Sequence, residues 1–258
     1  MADIHETAIV GSGADIGKGV TVGPFSYIED GSVIGDGSII GPRVSILRHT
    51  TLGPCCEVHS GAVLGDTPQD TGFEGGESFL TVGANCTIRE GVTLHRGTRE
   101  GSATEIGDKC FLMAFSHCAH NVRLGKGVIV ANGALLGGYV EVGDGAFISG
   151  NCLIHQFVKI GRLVMLGGGC GVSKDAPPFC LLAPMQINTV AGLNLVGLKR
   201  AGVSPAERKD IKAAFRTLYR SGLNAGDAER AIRESFPDGP VREMADFIER
   251  SERGICSM

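Results

Sequence analysis

The residues best suited to chemistry stand together at Phe115-Ser116-His117-Cys118-Ala119-His120-Asn121. Two histidines flank a cysteine. Imidazole titrates near neutral pH, as a general base must, and His120 is the candidate base. Of the seven histidines in the chain, His5, His49 and His59 have no chemical partner nearby and read as surface or rung residues. His95, His117, His120 and His155 each lie beside an inward position of a six-residue repeat, in coils that follow two polar interruptions. One such histidine is more often structural; four together point to a site.

The repeat that must position them starts at Ile4. Stepping by six from Ile4 to Leu64, then from Val82 to Leu94 and from Ile106 to Val172, 25 of 26 positions are Val, Ile or Leu. The exception is Cys118. Neither a helix nor a simple strand has a period of six. Glycine follows at 14 of these positions, allowing a tight corner. A small or β-branched residue recurs two positions before the aliphatic site, and Cys56, Cys86, Cys110, Cys152 and Cys170 fall in that slot as packing residues. The pattern describes a parallel β-helix with three hexads per coil and nearly nine coils. At a strand spacing of about 4.8 Å the prism is roughly 40 Å long. Each buried aliphatic side chain contributes roughly 1.5–3 kcal/mol.

Two stretches keep the phase but lose the pattern: Asp66 to Leu80 and Arg96 to Thr104. Insertions in a solenoid are ejected as loops, and such loops commonly build sites. The first carries Gln69 and Asp70, candidates for binding a polar ligand. The prism is expected over residues 1–187, with the repeat ending near Asp175-Ala176-Pro177-Pro178, where proline stops strand pairing. Residues 188–258 read as a small α-helical domain that needs something to dock on. Ser204-Pro205-Ala206-Glu207 is a capping box opening a helix to about Ser221. Further helices are expected over Thr189–Arg200, Asp227–Ser235 and Pro240–Arg253.

Composition excludes several classes. The chain of 258 residues has net charge −4, giving no bulk attraction to nucleic acid. No apolar run is long enough to cross a bilayer, and no basic-then-apolar leader precedes the repeat, so the expected location is cytoplasmic. Nine cysteines, an odd number without a C-x-x-C, fit reduced thiols.

The Ile/Val-Gly hexads resemble those of left-handed β-helix acyltransferases. Within that class, Ile88-Arg89-Glu90-Gly91-Val92-Thr93-Leu94-His95-Arg96-Gly97-Thr98 is similar to a signature of the UDP-N-acetylglucosamine acyltransferases of lipid A synthesis. So are His117-x-x-His120, Ile154-His155-Gln156-Phe157 and Gly197-Leu198-Lys199-Arg200. The resemblance covers essentially the whole chain. It implies transfer of an (R)-3-hydroxyacyl group from acyl carrier protein to the 3-OH of UDP-N-acetylglucosamine. It also implies a homotrimer with sites between subunits and no metal or cofactor. His120 matches the base and the Gly138 backbone N–H the oxyanion donor. Asp70 and His117 match sugar contacts, Gln156 a uracil contact, and Asn194 and Arg200 nucleotide contacts. Gln69, His95 and His155 are grouped with the substrate-binding residues. Gly168 matches the position that sets acyl length, where glycine leaves room for a long chain.

The chain departs from the family pattern at four places. Asn121 stands where many members carry Asp, and Tyr139, also a candidate substrate contact, where others have His. No basic residue follows Asp70, and Ala201 follows Arg200. These leave open a 3-amino analogue of the sugar as acceptor. Two readings from other classes are a zinc carbonic anhydrase built on His95, His117 and His120, and a β-helix that only binds a partner.

Overall fold

The computed structural model describes residues 1–236 and 238–258. One aliphatic residue per hexad supplies one inward side chain, and a strand of two residues forms around it. Three hexads make a coil, so in uninterrupted coils residue i pairs in parallel with residue i+18. Asp3 pairs with Thr21, Val33 with Thr51 and Glu141 with Lys159. The product is a left-handed parallel β-helix whose three faces hold 11, 9 and 8 strands among the described residues, the last strand of the first face being antiparallel. The first face begins at Asp3–Ile4, the second at Ile9–Val10 and the third at Asp15–Ile16.

From Val22 onward every inward aliphatic residue of the repeat is at most 4% exposed. Cys118 takes its place in that ladder, between Leu94 and Leu136. Burial pushes its thiol up to about 12. It is therefore a packing residue with no thiolate to offer near neutral pH. The slot two residues earlier has a second requirement. Ser26 and Ser38 donate to the carbonyls of Gly41 and Gly53 in the next coil. Cys56, Cys86, Cys110 and Cys152 donate their S–H to Gly83, Gly107, Gly125 and Gly167 in the same way. A small donor that satisfies a buried corner carbonyl explains why Ser and Cys recur there.

Three features differ from the sequence expectation. Prolines 177 and 178 occupy a corner and do not end the pairing: Cys180–Leu182 continues the first face, Leu181 opposite Met165. Thr189 does not begin a helix; Val190–Leu193 is a strand antiparallel to Cys180–Leu182. The polar interruptions are also shorter than their composition suggests. Asp66 closes the strand Val63–Asp66, while Leu80 and Thr104 lie fully buried in the strands Phe79–Val82 and Ala103–Ile106. Position in the coil outweighs local polarity at those three residues.

Four helices follow among the described residues: α1 Leu195–Arg200, α2 Pro205–Arg220, α3 Ala225–Ser235 and α4 Pro240–Glu249. The capping box at α2 forms as read: Glu207 N–H donates to Ser204 Oγ, and Ser204 N–H to Glu207 Oε2. The helices dock on the last coil, whose Leu163 and Phe179 share a core with Leu198, Ile211, Ile232, Met244 and Ile248. The C-terminal tail returns to the prism. Ser251 donates to the buried carboxylate of Asp175, and Cys256 N–H to the Asp175 carbonyl. No helix among the described residues is long and apolar enough to cross a membrane.

Candidate active site

Both interruptions leave the prism at the edge between the second and third faces. One joins Val63–Asp66 to Phe79–Val82, the other Thr93–His95 to Ala103–Ile106. The next corners along that edge are His120-Asn121, then Gly138-Tyr139, then Gln156-Phe157. One edge thus carries both loops and the candidate base. The loops brace each other: Gly101 N–H donates to Glu77 O at 2.8 Å, and the Arg96 guanidinium lies 5.6 Å over the Phe73 ring.

His120 is 9% exposed. Its Nδ1 stands 3.2 Å from Asn121 Oδ1, and its Nε2 is 3.8 Å from Asp70 Oδ2 on the first loop. Asp70 is held in a turn in which its Oδ1 accepts from Gly72 N–H, leaving Oδ2 facing the histidine. Gln69 is exposed beside it. Gly138 lies against the ring: a Cβ built there would stand 2.5 Å from His120 Nε2. Only glycine permits this approach. Gly138 is buried, its carbonyl accepts from Phe157 N–H, and its own N–H has no acceptor among the described residues. Tyr139 meets His120 edge-on at 5.3 Å and stacks on Phe157 at 5.0 Å.

His117 points outward on the second face with Nδ1 2.7 Å from Thr93 Oγ1. Burial, then the neighbouring His95 and His120, push its pKa down to about 4. His95 packs edge-on against it at 5.1 Å. Burial also lowers the His95 pKa, with Asp66 opposing, and its Nδ1 lacks a partner among the described residues. Both rings are thus neutral near pH 7 and available as hydrogen-bonding groups. Among the described residues, no three His, Cys, Asp or Glu side chains converge to hold a metal ion, so His95, His117 and His120 do not form a ligand set.

The remaining candidates lie farther off. His155 is exposed two coils beyond His117, and Gln156 is exposed beside it. Asn194 caps α1: its Oδ1 accepts from Gly197 N–H while its Nδ2 donates to Leu163 O. Arg200 lines a shallow depression with Leu195, Val196, Lys199 and Arg208, which none of the edge residues enters. Gly168 sits at a different edge, between the first and second faces. A Cβ there would meet only Gly150 O, at 3.8 Å. Sequence reasoning missed Thr98, whose backbone and hydroxyl both bond Asn121, and Arg253, whose guanidinium lies 3.4 Å from His155 Nδ1. Thr98 lies within the quoted signature and could have been singled out there. Arg253 carries no local signal.

The fold and the histidine edge define a hexapeptide-repeat β-helix transferase, and comparison agrees. A bacterial transferase hexapeptide model matches residues 31–66 and 103–138, and a model described as UDP-N-acetylglucosamine O-acyltransferase, domain 2, matches 175–256. An acyl-(acyl-carrier-protein)–UDP-N-acetylglucosamine O-acyltransferase of Halorhodospira halophila is 42% identical, over 99% of each chain. Among solved structures, the UDP-N-acetylglucosamine acyltransferase of Bacteroides fragilis is 40% identical with TM-score 0.94, over 97% of this chain and 98% of that one. The enzyme from Campylobacter jejuni is 36% identical with TM-score 0.93, over 99% and 100%. The chain belongs to the UDP-N-acetylglucosamine acyltransferase family and is an acyltransferase.

Proposed function

We propose that the chain transfers an (R)-3-hydroxyacyl group from the thioester of acyl carrier protein to the 3-hydroxyl of UDP-N-acetylglucosamine, the first step of lipid A synthesis. The observation that carries this reading is the contact of His120 with Gly138, which sets a base beside a free backbone N–H. His120 Nε2 takes the hydroxyl proton as the sugar oxygen attacks the thioester carbonyl. The Gly138 N–H receives the developing oxyanion; one such donor is worth about 3 kcal/mol in the transition state. As the C–S bond breaks, the imidazolium returns the proton to the leaving thiolate. Asp70, beside Nε2, orients the acceptor hydroxyl, and His117 and His95 contact the sugar as neutral imidazoles. The thioester is already activated, so these residues suffice for the step.

The hydroxyacyl chain fits the apolar groove on the second face lined by His117, Leu135, Leu153, Gly171 and Ile187. That groove leads from the histidine edge toward the edge bearing Gly168. Leu135, Leu153 and Ile187 are 44%, 58% and 72% exposed in the single chain. An apolar surface of that extent marks an interface. A homotrimer covering it accounts for the separation of Arg200 and Asn194 from His120: the nucleotide contacts reach a site across a subunit boundary.

The test is a paired assay of the wild type and His120→Ala with UDP-N-acetylglucosamine and 3-hydroxyacyl carrier proteins of mixed chain length, analysed by mass spectrometry. A new acyl-UDP-sugar made by the wild type and lost in the variant supports the reading. Equal product from both removes His120 as the base, and no product from the wild type removes the reaction.

A further inference from the structure

Two residues that depart from the family pattern, Asn121 and Tyr139, are joined through a third, Thr98. Asn121 Oδ1 accepts from Thr98 N–H at 3.0 Å and from the Thr98 hydroxyl at 3.0 Å. The Thr98 hydroxyl oxygen is in turn 3.1 Å from the Tyr139 hydroxyl. A backbone N–H can only donate, so the amide atom facing it must be the oxygen. The same oxygen faces His120 Nδ1. An acceptor at that distance requires Nδ1 to carry the proton, which leaves the lone pair on Nε2. Since the Thr98 hydroxyl hydrogen is committed to Asn121, the Tyr139 hydroxyl donates to Thr98 Oγ1 and completes the chain.

We propose that Thr98 and Tyr139 act through Asn121 as positioning residues that set the tautomer and orientation of His120. The inference rests on the reading of His120 as the base, but it concerns the proton on the ring and has its own readout. In this arrangement the second loop, from a neighbouring coil, decides which ring nitrogen can accept the acceptor's proton. Asn121 performs the orienting role with a neutral oxygen. Three donors converge on that oxygen, and the backbone N–H of Asn121 is tied to the buried Thr104 Oγ1 at 2.8 Å, so the amide has little freedom to turn. The titratable groups facing His120 are Asp70 from the first loop, His95 and His117 from the adjoining strands, and Tyr139 from the next coil.

The neutral partner has a kinetic consequence. An aspartate at position 121 would accept the same bonds while adding charge that favours the imidazolium. In Asn121→Asp the acid limb of kcat/KM should therefore move up by about one pH unit. Asn121 has φ 59°, so Asn121→Gly removes the amide at a backbone angle glycine adopts freely. In Thr98→Val the hydroxyl bonds are lost while the backbone bond remains. Its kcat should fall about fivefold with KM little changed, the scale of one neutral hydrogen bond, and Thr98→Ser should restore it.

The deciding experiment is nitrogen NMR of histidine-labelled protein, run beside the kinetics. His120, assigned by its absence in His120→Ala, should show Nδ1 protonated and Nε2 bare in the wild type, and should lose that preference in Asn121→Gly. A wild-type ring protonated on Nε2 overturns the proposal. So does an acid limb unmoved in Asn121→Asp together with full kcat in Thr98→Val, the result a merely structural Thr98 would give. The tautomer is read without substrate. A wild type inactive on UDP-N-acetylglucosamine would therefore overturn the functional reading alone, and the NMR result would still decide this one.

Discussion

Gly138→Ala separates the position of the base from the oxyanion donor, because alanine keeps the backbone N–H. The added methyl would stand 2.5 Å from His120 Nε2, whereas a relaxed contact needs about 3.5 Å. The ring must withdraw by about 1 Å, and its 3.2 Å bond to Asn121 Oδ1 will stretch or bend. A displacement of that size costs about 100-fold in rate, or about 2.7 kcal/mol of transition-state free energy. Gly138 is not among the positive-φ residues, so the backbone accepts alanine without strain. Overpacking at about 1–3 kcal/mol is partly offset by about 0.4–1 kcal/mol from the stiffer unfolded chain, so the variant folds. The assay is single-turnover acyl transfer with thermal melting as the folding control. A modestly lowered melting temperature, still well above the assay temperature, with kcat reduced about 100-fold is expected. A folded variant with kcat within about threefold of wild type would show that the ring position against Gly138 is not catalytic, and the argument from that contact would fail.

Other perturbations test other links. Gly168→Leu enters open space, so melting should be unchanged while preference shifts to shorter hydroxyacyl donors by at least about tenfold; competition between donors of different length reads this directly. Leu135→Glu with Leu153→Glu places charge on the exposed apolar face; if the proposed homotrimer forms through it, light scattering should show the variant as a smaller species than the wild type, and activity should be lost with the assembly. His117 protonates only near pH 4 in the folded chain, whereas an unfolded histidine titrates near about 6.5. Between those values the unfolded chain binds the extra proton, so stability falls as pH drops from about 6.5 toward 4 and is unaffected above. Partial exposure limits the His117 share to about 1–2 kcal/mol, and denaturant midpoints at pH 7 and 4.5 should converge in His117→Gln.

The period of six was enough to define the prism. A side chain every sixth residue stacks when a whole number of hexads makes one coil; the i to i+18 pairing shows that number to be three, and the ladder from Val22 to Val172 is buried throughout. The capping box at Ser204 was legible for a related reason: its partners are three residues apart, and local spacing determines their bonds. His120 was legible because four histidines gather beside the repeat's inward positions, and Asp70 because it lies in the first polar interruption; the resemblance then suggested their roles.

Tertiary structure decided the rest. Leu80 and Thr104 look like loop by composition and are core by position, because strand register with the coil below overrides local polarity. The two prolines form a corner because the Gly161 backbone, with no Cβ, lets Pro178 approach closely. Val190–Leu193 is a strand because the last edge of the first face offers unpaired backbone groups, a condition created by Cys180–Leu182. The bond from Thr98 to Asn121 joins residues 23 apart and depends on the path of an aperiodic loop, and Arg253 reaches His155 from 98 residues away. Sequence spacing carries no information about such contacts. They exist because the coil brings one edge together and the tail folds back onto it.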